Sequence, residues 1–205
     1  MTLALATGRI ADQAMVFLEQ AQIHFPDYQN HSRKLVMFDE TKTIKAIFAK
    51  TADLTTYVEK GAADIGIVGK DTIIEDQPDV YELLDLGFGK CQLVVAGFPG
   101  ATLYDGKPLT VASKYPRIAK KFFEEKGVQI DAIKLNGSVE LAPLIGLSDV
   151  IVDIVETGTT LKQNGLVVLD HIADVSSRLI VNKASYATKT ERIQQFIRQL
   201  KMVLE

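Results

Sequence analysis

Short apolar runs of strand length alternate along the chain with stretches in which apolar positions recur every three or four residues, the grammar of an α/β protein. The first run covers residues 3–6, and after Gly8-Arg9 the residues Ile10, Ala14, Phe17, Leu18 and Ala21 fall on one face of a predicted helix. Strands are predicted over 33–38 and 44–49, and Asp53 is placed to cap a short helix through Tyr57 and Val58 that Gly61 stops. Residues 64–68 read as a strand ending at Gly69, with a helix starting near Asp71. Further on, strands are predicted over 92–96 and 109–112, joined through the turn-prone Phe98-Pro99-Gly100. Ile118, Ala119, Phe122 and Phe123 mark a helix that Gly127 closes, and strands follow at 132–135, 150–155 and 166–169. The last helix carries the clearest stripe: Ile193, Phe196, Ile197, Leu200, Val203 and Leu204. Two segments, 85–93 and 176–181, are placed to carry the chain between lobes, giving one lobe of residues 1–87 plus 176–205 and another of 88–175. Such a double crossing creates a cleft suited to a small ligand. One continuous doubly wound sheet accounts for the same pattern equally well.

Composition narrows the class. With 205 residues, 47% of them hydrophobic and 24% charged, the chain has globular proportions. A net charge of −3, from 23 basic and 26 acidic residues, argues against coating nucleic acid or an anionic membrane by bulk electrostatics. The single cysteine, Cys91, cannot form an internal disulfide and suits a reducing cytosol. The opening MTLALATGR lacks a basic n-region, its apolar run is too short for a signal peptide, and no apolar stretch approaches the about 20 residues that span a bilayer. The expectation is a cytoplasmic protein with neither nucleic acid nor membrane as partner.

Chemistry concentrates in VIVDIVETGTTL, residues 150–161, where an apolar strand runs into threonines around one glycine. A phosphate monoester needs convergent donors, and Thr157, Gly158, Thr159 and Thr160 supply backbone N–H groups, hydroxyls and a helix start together. Asp153 inside the apolar strand is costly to bury unless paired. It has the chemistry to accept from two vicinal ribose hydroxyls, or it is an edge-strand residue facing solvent before capping threonines. In Asn136-Gly137-Ser138-Val139-Glu140, Ser138 is a good N-cap for 139–145, and Glu140 joins Asp153 on a sugar, reaches a metal through water, or is an ordinary first-turn acid. GAADIGIVGKD, residues 61–71, fails the Walker A spacing, since only two residues separate Gly66 from Gly69 and Asp71 follows Lys70. Arg9, Arg33, Lys50 and Lys70 stand near strand ends and are candidates to steady a polyphosphate, or else solvated surface charges. His24, His31 and His171 lack ligand spacing, so no protein metal site is expected from them.

In order along nearly the whole chain, Gly8-Arg9, DLTTYVEKG, ADIGIVGKD, DLGFGKCQL, ASKYP, LNGSVELAP and GLSDVIVDIVETGTTLKQNGL resemble the ATP phosphoribosyltransferase family. The resemblance implies a two-lobed α/β fold like the type II periplasmic binding proteins, with the active site in the inter-lobe cleft. It implies attack of adenine N1 of ATP on C1 of 5-phosphoribosyl 1-pyrophosphate, the first step of histidine biosynthesis, with Mg2+ held through the substrate. Carried onto this sequence, it assigns Glu140, Asp153, Thr157, Gly158, Thr159, Thr160 and Leu161 to the phosphoribosyl donor. Arg9, Arg33 and Lys50, with Glu140, take the catalytic roles, and Gly8, Arg9, Asp64, Gly69 and Lys70 lie on the ATP side, in the lobe of residues 1–87 and 176–205.

The family's short form is the one resembled, because nothing after the striped helix could form the long form's C-terminal regulatory domain. Short-form chains are expected in a hetero-oligomer with a regulatory subunit resembling histidyl-tRNA synthetase. Three positions depart from the family's pattern: Thr7 where Lys often precedes Gly-Arg, Glu156 where a small polar residue is usual, and Thr55 in place of proline. The other functions open to such a chain are a non-catalytic two-lobed ligand-binding protein and a phosphoribosyltransferase for a free base.

Overall fold

The computed structural model describes residues 1–29 and 34–205, so Arg33 and the start of the predicted 33–38 strand lie outside the described residues. The chain forms two compact units, Met1–Gly89 with Ser176–Glu205, and Lys90–Val175. The first is built from Thr2–Ala6 (β1), Arg9–Gln20 (α1), Val36–Phe38 (β2), Lys45–Ala49 (β3), Thr51–Glu59 (α2), Ile65–Gly69 (β4), Lys70–Asp76 (α3) and Val80–Asp85 (β5). The second contains Cys91–Gly97 (β6), Leu109–Ser113 (β7), Pro116–Glu125 (α4), Ile130–Lys134 (β8), Leu141–Leu144 (α5), Val150–Val155 (β9), Thr159–Gln163 (α6) and Val167–Val175 (β10). The chain then returns to the first unit through Ser177–Asn182 (β11), Lys183–Thr188 (α7) and Thr190–Leu204 (α8).

Among the described residues the first unit has a six-stranded sheet in the order β2-β3-β1-β4-β11-β5, and the second a five-stranded sheet in the order β10-β6-β9-β7-β8. Their centres repeat one plan. In the first, β1 is parallel to β3 on one side and β4 on the other. In the second, β7 is parallel to β8 on one side and β9 on the other. Each plan continues through an antiparallel neighbour, β11 beside β4 and β6 beside β9. No sequence repeat accompanies this topological one.

Side-chain alternation explains the layering of the first unit. Leu3 and Leu5 of β1 pack with α1 and α8, whereas Ala4 and Ala6 pack with Leu54 and Val58 of α2. Gly66 of β4 lets that second helix approach: an added Cβ would stand 2.7 Å from Val58 Cγ2. The stripe of α8 is buried through Ile193, Phe196, Ile197 and Leu200, while Leu204, one turn beyond the core, is exposed. Losing a buried ring such as that of Phe196 typically costs about 3–5 kcal/mol.

Several local expectations change. Helix α2 is capped by Lys50 and not by Asp53, which sits in the first turn with its N–H donating to Lys50 O at 2.9 Å. Ser138 does not cap α5. It holds a left-handed φ of 48°, and Glu140 is the N-cap residue. Residues 176–181, read as a connecting segment, form most of β11, an interior strand between β4 and β5. Strand β10 runs on to Val175 through Asp170, His171 and Asp174, polar residues accommodated at a sheet edge with two register irregularities.

Asp64, just before β4, ties three distant segments together. Its side chain is buried (4% exposed) and accepts from the Thr2 N–H at 2.7 Å, Ser185 Oγ at 2.6 Å and Lys189 Nζ at 2.7 Å. Burial opposes its ionisation, but the bonds from Lys189, Ser185 and the Thr2 N–H outweigh that and hold the carboxyl below the ordinary carboxylate range. A depressed folded-state pKa adds stability that is complete above the unfolded value of about 3.9 and is lost as pH falls through the folded value. Asp64→Asn is therefore expected to destabilise the chain by about 1.5–3 kcal/mol at neutral pH. In thermal melts the gap between variant and wild type should close as pH drops below about 4; a gap independent of pH would show that the charge of Asp64 contributes nothing.

Candidate active site

A parallel strand whose two neighbours are reached by crossovers to opposite sides leaves an open crevice beyond its C-terminal end, where the flanking loops diverge. Each unit has one such point. In the first, residues 7–9 leave β1 and residues 69–70 leave β4, with Lys50 at the end of β3. The registers Ala6 with Ala49 and Leu5 with Ile67 bring these three ends to one edge.

Gly8 holds φ 85° and ψ −154°, a region only glycine enters without strain, and its carbonyl accepts from Ala11 N at 2.8 Å to start α1. Arg9 opens that helix and is exposed, as is Lys50. Lys70 is half-buried and ion-paired to Glu82 at 2.6 Å. Beside Gly8 and Arg9 lies a cavity of about 360 Å3, whose wall includes Met37 and the stacked rings of Tyr28 and Phe48, 5.8 Å apart. Tyr28 donates to Asp12 Oδ1 at 2.5 Å, and burial followed by that bond pushes its phenol well above the usual range. Neither ring stood out in the sequence, because the two come together only across the sheet.

In the second unit the crevice lies beyond β7, between the 136–140 loop after β8 and the 156–158 loop after β9. Strand β9 is the middle strand of five, so Asp153 is not an edge-strand residue. It stands opposite Val94 of β6, half-buried, with Oδ1 accepting the Ile154 N–H at 2.8 Å. After Val155 the chain bends at Gly158, whose left-handed φ of 73° makes it the N-cap of α6. The first N–H bonded inside that helix is that of Lys162, to Gly158 O at 3.0 Å. The N–H groups of Thr159, Thr160 and Leu161 precede it and lie at the mouth of the bend. The hydroxyls of Thr157 and Thr159 are 2.9 Å apart. Leu161 is 5% exposed and packs with Val94, Ala112, Val139 and Ile151, which anchors the bend to the core. Glu140 is half-buried and follows the core residue Val139 on the neighbouring loop.

A profile of the ATP phosphoribosyltransferase family (HisG) matches residues 50–202. The chain is 54% identical to the ATP phosphoribosyltransferase of Oceanobacillus iheyensis, over 100% of this chain and 98% of that protein. With that of Bacillus subtilis it is 49% identical, over 100% and 96%. The chain belongs to the ATP phosphoribosyltransferase family. A Thermotoga maritima structure titled as an ATP phosphoribosyl transferase (HisG:HisZ) complex superposes with a TM-score of 0.85 at 33% identity, covering 99% of this chain and 98% of that one. The Escherichia coli aliphatic sulphonate binding protein SsuA shares the fold alone: TM-score 0.61, 14% identity, 99% of this chain and 72% of that one. The fold is thus the two-lobed type II periplasmic-binding-protein fold, and family members are phosphoribosyltransferases that open histidine biosynthesis.

Of the residues that the family resemblance picked out, Glu140, Asp153, Thr157, Gly158, Thr159, Thr160 and Leu161 gather at the C-terminal edge of the second sheet. Gly8, Arg9, Lys50, Gly69 and Lys70 gather at that of the first. Asp64 does not join them. It lies at the opposite end of β4, roughly 16 Å away at about 3.3 Å per residue, with its carboxylate committed to Thr2, Ser185 and Lys189. Among the described residues no group of three or more His, Cys, Asp and Glu is arranged to hold a metal ion, and no helix is long and apolar enough to cross a membrane. Lys114 follows the end of β7, with its Nζ over the Tyr115 ring at 5.8 Å from the centroid.

The bend's geometry makes a stability prediction. The nearest atom to an added Cβ at Gly158 is Val155 Cγ1 at 3.8 Å, so substitution there is limited by backbone conformation and not by space. Chemical denaturation should rank wild type above Gly158→Asn above Gly158→Ala, the last costing about 1–2 kcal/mol. Equal stability of all three would mean the bend does not need its left-handed residue.

Proposed function

We propose that this chain is the catalytic subunit of an ATP phosphoribosyltransferase that joins adenine N1 of ATP to C1 of 5-phosphoribosyl 1-pyrophosphate. The N1–C1 bond forms, the bond from C1 to the pyrophosphate oxygen breaks, and pyrophosphate departs with that electron pair. The observation that carries the reading is the passage of Asp153, on the middle strand of the second unit, directly into the Gly158-led bend. The N–H groups of Thr159, Thr160 and Leu161, with the hydroxyls of Thr157 and Thr160, hold the 5-phosphate. Asp153 and Glu140 accept from the ribose hydroxyls and keep a carboxylate near the sugar as it becomes oxocarbenium-like.

The first unit, residues 1–89 and 176–205, takes ATP. Gly8, Gly69 and Lys70 line the nucleotide side, and the aromatic cavity beside Gly8 offers its apolar wall to a base. Arg9, Arg33 and Lys50 stabilise the charge that builds on departing pyrophosphate. Alignment and electrostatics then account for catalysis, with no covalent intermediate. Mg2+ enters on the diphosphate, whose hard oxygens it prefers, and would neutralise the leaving group there. Glu156 is exposed, and repulsion from the phosphate would turn its charge outward or toward Mg2+.

The Thermotoga maritima relative was solved as a HisG:HisZ complex. By extension this chain works in the cytoplasm in a hetero-oligomer with a regulatory subunit resembling histidyl-tRNA synthetase. Pyrophosphate release is the deciding measurement, with ATP, adenine and orotate offered in parallel as acceptors, with and without that subunit. Turnover with ATP alone is expected. Faster use of a free base, or tight donor binding with no turnover under any condition, would overturn the assignment. Asp153→Ala should weaken donor binding about ten- to a hundredfold, the equivalent of losing a bond to a charged group at about 1.5–3 kcal/mol. Thr157→Ala and Thr160→Ala should weaken it less, and unchanged affinity in all three, read by titration calorimetry, would remove the bend from the donor site.

A further inference from the structure

Ser113 is the last residue of β7 and is fully buried, at 0% exposure, an unusual setting for a hydroxyl at a strand end. Its Oγ donates to Val152 O of β9 at 2.6 Å and accepts the Tyr115 N–H at 2.8 Å. Its main-chain carbonyl accepts the Leu135 N–H, just past β8, at 3.0 Å. One residue at the end of β7 thereby bonds to the ends of the two strands parallel to it, β8 and β9, at the point where the three part. The ladder between β7 and β9 ends at the Ser113–Val152 pair, and β9 continues as Asp153, Ile154 and Val155 with β6 as its remaining ladder partner. The acceptor of the Ser113 hydroxyl is thus the carbonyl directly before Asp153. The N–H it receives is that of Tyr115, two residues on, and its carbonyl binds the start of the loop that leads to Glu140.

We propose that Ser113 is a positioning residue for the phosphoribosyl donor, setting the separation of Asp153 and Glu140 without touching substrate. The inference rests on the donor site proposed above. A misplacement of about 1 Å in such a constellation can cost as much as a hundredfold. The hydroxyl's bond to Val152 O falls at the last backbone pair of the ladder and its bond from the Tyr115 N–H falls beyond it, where the ladder offers no further β7–β9 pair to take their place.

The test is a kinetic split in the full chain with its regulatory subunit, using Ser113→Ala, Ser113→Cys and Ser113→Thr. Cysteine keeps the volume of serine with a much weaker donor and acceptor, so it separates hydrogen bonding from packing and stands in if the alanine variant fails to fold. The KM for phosphoribosyl pyrophosphate should rise about ten- to a hundredfold in both Ala and Cys variants, while the KM for ATP stays at the wild-type value. Threonine, which retains the hydroxyl, should recover most of the donor affinity. A purely structural role would lower the amount of active enzyme and leave both KM values alone, and that result overturns the proposal. So does an equal rise in both KM values, or a cysteine variant that behaves as wild type. Wild-type enzyme that fails to bind the donor in titration calorimetry would instead sink the underlying site assignment, independently of the Ser113 variants.

Discussion

A strand paired in parallel on both sides must send its own crossover one way and receive the next from the other, so the loops above its C-terminal end cannot close over it. That constraint operates twice here, at β1 and at β7, and each time it leaves an open crevice. The helices pack on the sheet faces, and the apolar side chains of successive strand residues fill both layers. The loops at the C-terminal ends of the parallel strands are thereby left free of the sheet. The residues with phosphate and sugar chemistry collect at these edges because of the topology and not because of their own conformational preferences.

Within the second unit the crevice is shaped by contrast between rigidity and openness. Leu161 and Val139 hold the threonine bend and the Glu140 loop against the same core that contains Ile151 and Val94. The N–H groups of the bend are left outside the helix that follows, since a helix cannot bond its own first donors. The Thr159 N–H is turned toward Thr157 Oγ1, 3.5 Å away within the bend. The first unit offers a different surface, with an exposed arginine and lysine at the strand ends and an aromatic pair in the adjoining cavity.

Two aspartates show how the same residue type in similar surroundings meets opposite fates. Asp64 and Asp153 both belong to apolar strand segments, and both carry the cost of a carboxylate taken from water. Asp64 is compensated by an ammonium, a hydroxyl and a backbone N–H from far along the chain, and it serves as a structural tie between the first strand and the last two helices. Asp153 is half-buried, at the open end of its strand, and bonds its own neighbouring N–H. The ion pair of Lys70 with Glu82 makes a related point, since a lysine at a promising strand end already has a carboxylate beside it.

The α/β class, the helical stripes, the strand running into Thr157-Gly158-Thr159-Thr160 and the family resemblance were all legible in the sequence, because periodicity and turn chemistry depend on residues close together in the chain. The strand β11 within the returning segment, and the ties of Asp64 to the last two helices, were not legible because their partners lie more than a hundred residues away. The partners of the Ser113 hydroxyl and the Tyr28–Phe48 pairing carry no local signal. What they do is decided by strand order and register, long-range pairings that only the folded chain specifies, since a residue's hydrogen-bond partners follow from which strands meet and not from the letters beside it.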